Sequence, residues 1–475
     1  MEQKNGIFYF SGELRKKAKN ARILVMSDEQ EQHAHQGLDY LSELPQARPH
    51  IHETRKFPDG FLWGSAISSH QAEGDNRGNE WWDWEKVPGH ILDGTVSGRA
   101  CEHYSRYEAD FDLAKSLHQN AHRMSIEWSR IEPEEGKWDM DEVVHYRRVL
   151  EALKARDMKI MLTVWHFTLP KWFAAKGGWE SGEAIRLFER YAAFLAAEYG
   201  DLVDFWITIN EPMVYLIQSY GAGIWPPGKT NPITNIHVFS KLCLAHKAAY
   251  RAIHRTLDWR ALAGIAAPVS VGIAQNVITF EPYRKQSFVD DVFVWFADKM
   301  FNRQFFIWTA GTHDFIGINY YFHYRIKYVP TKIAQLFYEV HTENREVSDL
   351  GWEINASGIF DAIISMSRFK KPIIITEHGV ANADDGKRPR IIVAAIKEVY
   401  HAIRSGVDVR GYFHWSLIDN FEWEKGFSGR FGLVAIDYMT MKRTPRRSAY
   451  VYADICRENG LPHSLLRFMG HGVRW

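Results

Sequence analysis

Glu211 and Glu377 each close a long apolar run and are followed at once by turn chemistry. The runs read Asp204-Phe205-Trp206-Ile207-Thr208-Ile209-Asn210-Glu211-Pro212 and Lys371-Pro372-Ile373-Ile374-Ile375-Thr376-Glu377-His378-Gly379. Apolar runs of this length, rich in β-branched residues, form buried strands. A carboxylate where such a strand meets its loop is costly to desolvate. Two of them suit general acid–base and nucleophilic work on one substrate.

The elements that must position this pair form a repeating alternation from Phe61 onward. Strands are expected at 61–68, 122–128, 159–167, 204–212, 269–276, 315–322, 371–379 and 409–417. Apolar spacing of three and four predicts helices over Tyr104–Leu117, Glu142–Ala155, Ala184–Tyr199, Val238–Leu257 and Ile391–Ser405. Eight buried strands separated by helices suit an α/β fold of the (β/α)8 TIM-barrel kind. The alternative is a doubly wound open sheet, but Trp63-Gly64-Ser65-Ala66 is not the Gly-rich phosphate turn such sheets place after their first strand. A barrel carries its chemistry at the carboxyl ends of its strands. Polar residues gather there: Gln71, Glu73, Arg123, Glu127, His166, Asn210, Glu211, Asn319, Tyr321 and Glu377, with Trp415 on the last strand. Taken alone, His166 and Trp415 would be core residues, and Arg123 with Glu127 a structural ion pair, the reading kept for Glu127.

Composition excludes several classes. Lys plus Arg and Asp plus Glu both number 58 in 475 residues, so no charge footprint for nucleic acid or an anionic membrane exists. No apolar run reaches the roughly 20 residues needed to span a bilayer, and Met1 to Met26 lacks a signal-peptide pattern. Cys101, Cys243 and Cys456 are scattered, which suits a reducing compartment without structural zinc. A soluble, cytoplasmic protein is expected. Residues 1–56 are expected to be an N-terminal extension, 57–455 the barrel and 456–475 a C-terminal tail.

Four stretches carry a family likeness. They are Phe57-Pro58-Asp59-Gly60-Phe61-Leu62-Trp63-Gly64-Ser65-Ala66 through Gln71-Ala72-Glu73-Gly74, Thr208-Ile209-Asn210-Glu211-Pro212, Ile375-Thr376-Glu377-His378-Gly379, and Gly411-Tyr412-Phe413-His414-Trp415-Ser416-Leu417 through Trp423. In this order they resemble the family 1 glycoside hydrolases, the β-glucosidase/β-galactosidase group. The resemblance implies a retaining β-glycosidase with Glu377 as nucleophile and Glu211 as general acid, later general base. It implies support from Arg123, Asn210 and Tyr321. Sugar contacts are implied from Gln71, His166, Asn319, Trp415, Glu422 and Trp423, with Trp352 as a wall of the aglycone site. The partner is a small-molecule glycoside or oligosaccharide; no metal or organic cofactor is implied. Glu422 implies unphosphorylated sugars, and the presence of Glu211 implies O-glycosides. An inactive carbohydrate-binding barrel and a transglycosidase are the competing functions.

Three features depart from the family pattern. His378 stands where Asn is usual and could alter local charge. Phe167 follows His166 where Trp is common. The segment Arg284 to Thr312 is short, so a helix before the sixth strand is expected to be abbreviated or missing, leaving a gap that residues 1–56 could cover.

Overall fold

The computed structural model describes residues 54–264, 268–332, 338–342 and 346–470. Eight parallel strands close into a barrel in sequence order: β1 Leu62–Ala66, β2 Ala121–Ser125, β3 Lys159–Trp165, β4 Phe205–Asn210, β5 Val271–Asn276, β6 Ile316–Tyr320, β7 Ile373–His378 and β8 Val409–Trp415. Seven fall within their expected runs, and β2 begins one residue before its run. After each strand comes a helix: α1 His103–Ser116, α2 Met140–Ala155, α3 Ala184–Tyr199, α4 Pro232–Leu262, α5 Phe288–Asp298, α6 Gly358–Ser367, α7 Arg388–Arg404 and α8 Arg447–Glu458. Local chemistry explains their starts. The Asp139 carboxylate accepts from the backbone N–H of Asp141 and Glu142 and so caps α2. In α3, Leu187, Phe188, Tyr191, Leu195 and Tyr199 recur every three or four residues and are buried.

Strand alternation divides the core in two. Leu62, Ala121, Met161, Ile207, Ala274, Phe315, Ile374 and Phe413 point inward and plug the lower barrel. Their neighbours Trp63, Ile160, Leu162, Trp206, Ile273 and Ile375 face the helices. Gly64 makes room for the plug, because a Cβ there would sit 2.6 Å from Phe413 Cδ1. Above the plug, the inward rows of β2 and β6 carry the polar residues Arg123 and Asn319.

The segment before β6 corrects an expectation. Helix α5 runs on through a π turn, Lys299–Arg303, into a further turn of helix, Gln304–Trp308. The ring position is therefore occupied. The Ser287 hydroxyl caps α5 at the Asp290 N–H, and Arg284 pairs with Asp290, so a short segment is still well terminated. Residues 1–53, the proposed cover, lie outside the described residues. Arg55–Lys56 pair antiparallel with Gly460–Leu461, and the expected 455/456 boundary falls inside α8.

Candidate active site

Glu211 follows β4 directly, with φ 44° and ψ 58°, in the left-handed region that non-glycine residues seldom occupy. Its N–H bonds Ala274 O on β5 at 2.7 Å, and Pro212 opens the next short helix. Glu377 lies near the end of β7. Both carboxyls line one cavity of about 330 Å3 at the carboxyl end of the barrel. That volume is in the range of small-molecule sites, roughly 300–1,000 Å3. Gln71, His166, Asn210, Tyr321, Trp352, Trp415, Glu422 and Trp423 line the same cavity.

The two carboxyls have different surroundings. Glu377 Oε1 is paired with the Arg123 guanidinium, and its Oε2 accepts from the Tyr321 hydroxyl at 2.8 Å. Arg123 is 1% exposed and also donates to Asn210 Oδ1 at 2.7 Å, Thr376 O at 3.2 Å and Thr163 Oγ1 at 3.2 Å. Glu211 Oε1 receives only two neutral donors, Asn319 Nδ2 at 2.9 Å and Asn276 Nδ2 at 3.1 Å. Burial, then the charge of Glu377, push the Glu211 carboxyl up to about 8. At neutral pH Glu211 thus carries a proton while Glu377 faces a fixed cation.

The remaining polar groups fit a hydroxyl-rich ligand. His166 Nε2 accepts from Asn210 Nδ2 at 3.2 Å, and its buried Nδ1 has no partner among the described residues. Burial, then Arg123, hold the ring well below the usual imidazole value, so it is neutral with its proton on Nδ1, ready to donate. Gln71 Nε2 donates to Glu422 Oε2 at 3.3 Å. Burial, then the charge of Glu424, push Glu422 up well above the usual carboxyl range. The His166 ring lies nearly parallel to those of Trp415 and Trp423, at 6.1 and 6.2 Å.

The chain as a whole matches known sequences. The sequence profile of Glycosyl hydrolase family 1 matches residues 53–309 and 298–461. This chain belongs to glycosyl hydrolase family 1. A 1,4-beta-D-glucan glucohydrolase of Thermotoga neapolitana is 31% identical over 452 residues, covering 86% of this chain and 99% of that one. A beta-galactosidase of Pyrococcus woesei is 31% identical, covering 85% of this chain and 98% of the relative. The solved beta-glycosidase from Pyrococcus horikoshii superposes with a TM-score of 0.81 at 36% identity, covering 88% of this chain and 99% of that chain. The chain is a glycoside hydrolase on the barrel that its family uses.

Several family-based expectations change in detail. Asn319, expected to touch substrate, does not line the cavity. It is fully buried and holds Glu211 and Asn210 with its amide nitrogen, while its Oδ1 accepts from Thr376 Oγ1 at 2.7 Å. Glu127 makes no pair with Arg123; Ser69, Ser129 and Thr168 donate to it, and it caps the helix Trp128–Ile131. The His378 ring points out of the barrel, bonded through Nδ1 to the Tyr412 hydroxyl at 2.7 Å and stacked on Tyr320. Burial lowers it to about 4, so it adds no charge beside the nucleophile position at neutral pH. Sequence reasoning missed Asn276, although it ends β5 as the other polar groups end theirs. It also missed Trp225, Ile278 and Phe301, which carry no motif and reach the cavity only through folding. Among the described residues, no three of His, Cys, Asp or Glu converge as metal ligands.

Proposed function

We propose that this family 1 hydrolase is a retaining β-glycosidase that releases unphosphorylated sugars from the non-reducing end of β-O-glycosides by double displacement. The observation that carries the roles is the unequal environment of two carboxyls on one cavity: Arg123 and Tyr321 at Glu377, burial and two amides at Glu211. Environments that separate two titratable groups in this way divide nucleophile from acid.

In the first step a Glu377 oxygen bonds C1 of the sugar as the C1–O bond to the leaving group breaks. The proton on Glu211 goes to the departing oxygen. The charge on Glu377, which after burial helped to raise Glu211, is then gone, and Glu211 is left as carboxylate. In the second step Glu211 takes a proton from water as that water's oxygen bonds C1 and frees Glu377. Asn210 lies within reach of Arg123 and His166, which supports a grip on the 2-hydroxyl. The His166 Nδ1 proton, Gln71 and Glu422 support recognition of the other hydroxyls, and Trp415 supports packing on the sugar's C–H face. Glu211, Glu377, Glu422 and Glu424 all line the cavity. After burial, the charge of Glu377 raises the Glu211 carboxyl and those of Glu424 and Glu377 raise Glu422, and a 6-phosphate dianion beside Glu422 would meet the same repulsion.

Three buried, unpaired cysteines support a reducing compartment, the cytoplasm. Among the described residues no helix is long and apolar enough to cross a membrane. The test of function is a nitrophenyl glycoside screen followed by proton NMR of the first product. The β-anomer is expected to form first from a β-glycoside; the α-anomer forming first would sink the double displacement.

A further inference from the structure

We propose that the exposed apolar face of α5 is where a second copy of this chain docks, the two α5 helices lying antiparallel about a two-fold axis.

Helix α5 has two unlike faces. Its inner face packs on the strand His323–Tyr328: Phe293 stacks on Tyr328 at 5.0 Å, and the buried Asp290 accepts from the Tyr328 N–H at 2.9 Å. The outer face carries Phe288, Val292, Trp295 and Lys299, at the helical spacing of three and four that lines them up in one stripe. The π turn Lys299–Arg303 then adds a residue to the helix. Without that residue Ile307 would sit about 100° off the stripe. With it, Ile307 returns to the same line, beside Trp308. The same turn carries Phe301 to the active-site cavity, away from the stripe.

The exposed area is large for a lone chain. Phe288 is 79% exposed, Trp295 54%, Trp308 52% and Ile307 50%. At about 150–250 Å2 for a whole aromatic side chain, these with Val289, Val292 and Met300 leave roughly 600 Å2 of apolar surface in water. That is the upper end of the roughly 300–600 Å2 found as the largest patch on a monomer. A stable interface takes about 800 Å2 from each partner, apolar at its centre and polar at its rim. The stripe supplies the centre, and Asp291 and Lys299 border it.

The charges choose the partner. Asp291 and Lys299 are exposed, near opposite ends of the stripe, and neither has an ion-pair partner among the described residues; Lys299 Nζ lies 5.0 Å from the Trp295 ring centre. A parallel copy would set Asp291 against Asp291 and Lys299 against Lys299. An antiparallel copy brings each Asp291 toward the Lys299 of the other, twice by symmetry, and opposes the two helix dipoles. Val292 of each copy then faces Trp295 of the other. With 58 basic and 58 acidic residues, the copies carry no net charge to hold them apart.

The test is sedimentation of the full chain at about 50 µM and below, a range in which an interface of standard size assembles. A species of twice the chain mass is expected at the top of the range. Trp295→Asp should raise the dissociation constant roughly thirtyfold or more, the loss of one central Trp. Asp291→Lys alone and Lys299→Asp alone should each weaken the pair roughly tenfold, and the two together should restore it to within about threefold. Misfolding cannot produce that recovery. A chain that stays single at about 50 µM, including one that collects instead on phosphatidylcholine vesicles, overturns the proposal. So does a dimer indifferent to Trp295→Asp, or a charge swap that fails to recover. None of these residues lines the active-site cavity, so the β-glycosidase reading stands apart from the result.

Discussion

Replacing Glu211 by Gln should change how stability depends on pH, by an amount that the site itself sets. Gln keeps the shape and an oxygen that still accepts from Asn319 and Asn276, so the packing is preserved. What it removes is a titration. The unfolded chain releases the Glu211 proton near the ordinary 4.5, and the folded chain near about 8. Between those values the folded state holds the extra proton, so the Glu211 contribution to stability falls as pH rises. The full gap corresponds to about 5 kcal/mol. From pH 5 to pH 8 the wild type should therefore lose about 3.5 kcal/mol relative to Glu211→Gln. Glu422, also raised, is present in both proteins; its burial and its repulsion from Glu424 and Glu377 cancel in the difference, and only the smaller repulsion from Glu211 does not. Urea unfolding of both at pH 5, 6, 7 and 8 measures it. If the two stability curves run parallel within about 1 kcal/mol, Glu211 does not titrate where burial and Glu377 are argued to put it, and its role as the protonated acid at neutral pH loses its basis.

Other outcomes test the rest of the site. Glu377→Gln should abolish turnover of every substrate, whereas Glu211→Ala should slow glycosides with poor leaving groups far more than activated aryl glycosides; initial rates on the two substrate classes decide, and equal losses would refute the assignment. Arg123→Met strips the buried cation from Glu377 and should cost about 3–5 kcal/mol in urea unfolding, with turnover down a hundredfold or more, order of magnitude. Gly429→Ala would place a Cβ 3.0 Å from Glu422 Cβ and 3.1 Å from its Cγ, so KM should rise roughly 5- to 30-fold, about 1–2 kcal/mol of crowding beside the sugar, in steady-state assays. His378→Asn gives up the bond to Tyr412 and should cost about 1–3 kcal/mol of stability while leaving the pH–rate profile above pH 5 unchanged.

The apolar runs and their spacing determined the barrel: all eight strands and the five helices read from periodicity are where the pattern placed them. The carboxyl-end rule then pointed to one face of it, and most of the cavity's polar lining was legible on that ground. Side-chain direction at the two decisive positions was not. Ile207 and Ile374 point into the barrel, so strict alternation would aim Asn210 and Glu377 outward and turn His378 in. Register shifts in β4 between Ile207 and Asn210, and in β7 between Ile375 and Glu377, reverse this. They send Asn210 and Glu377 to the cavity and His378 to the helix side. Elsewhere alternation holds: Arg123 follows Ala121 inward, and Trp415 follows Phe413. Such shifts come from pairing with the neighbouring strands, which no single run of residues encodes. The unequal charge environments of Glu211 and Glu377, and the approach of Trp225, Ile278 and Phe301 to the cavity, likewise exist only once distant segments meet. Burial and the local field depend on what surrounds a group in space, and the sequence lists its neighbours only along the chain.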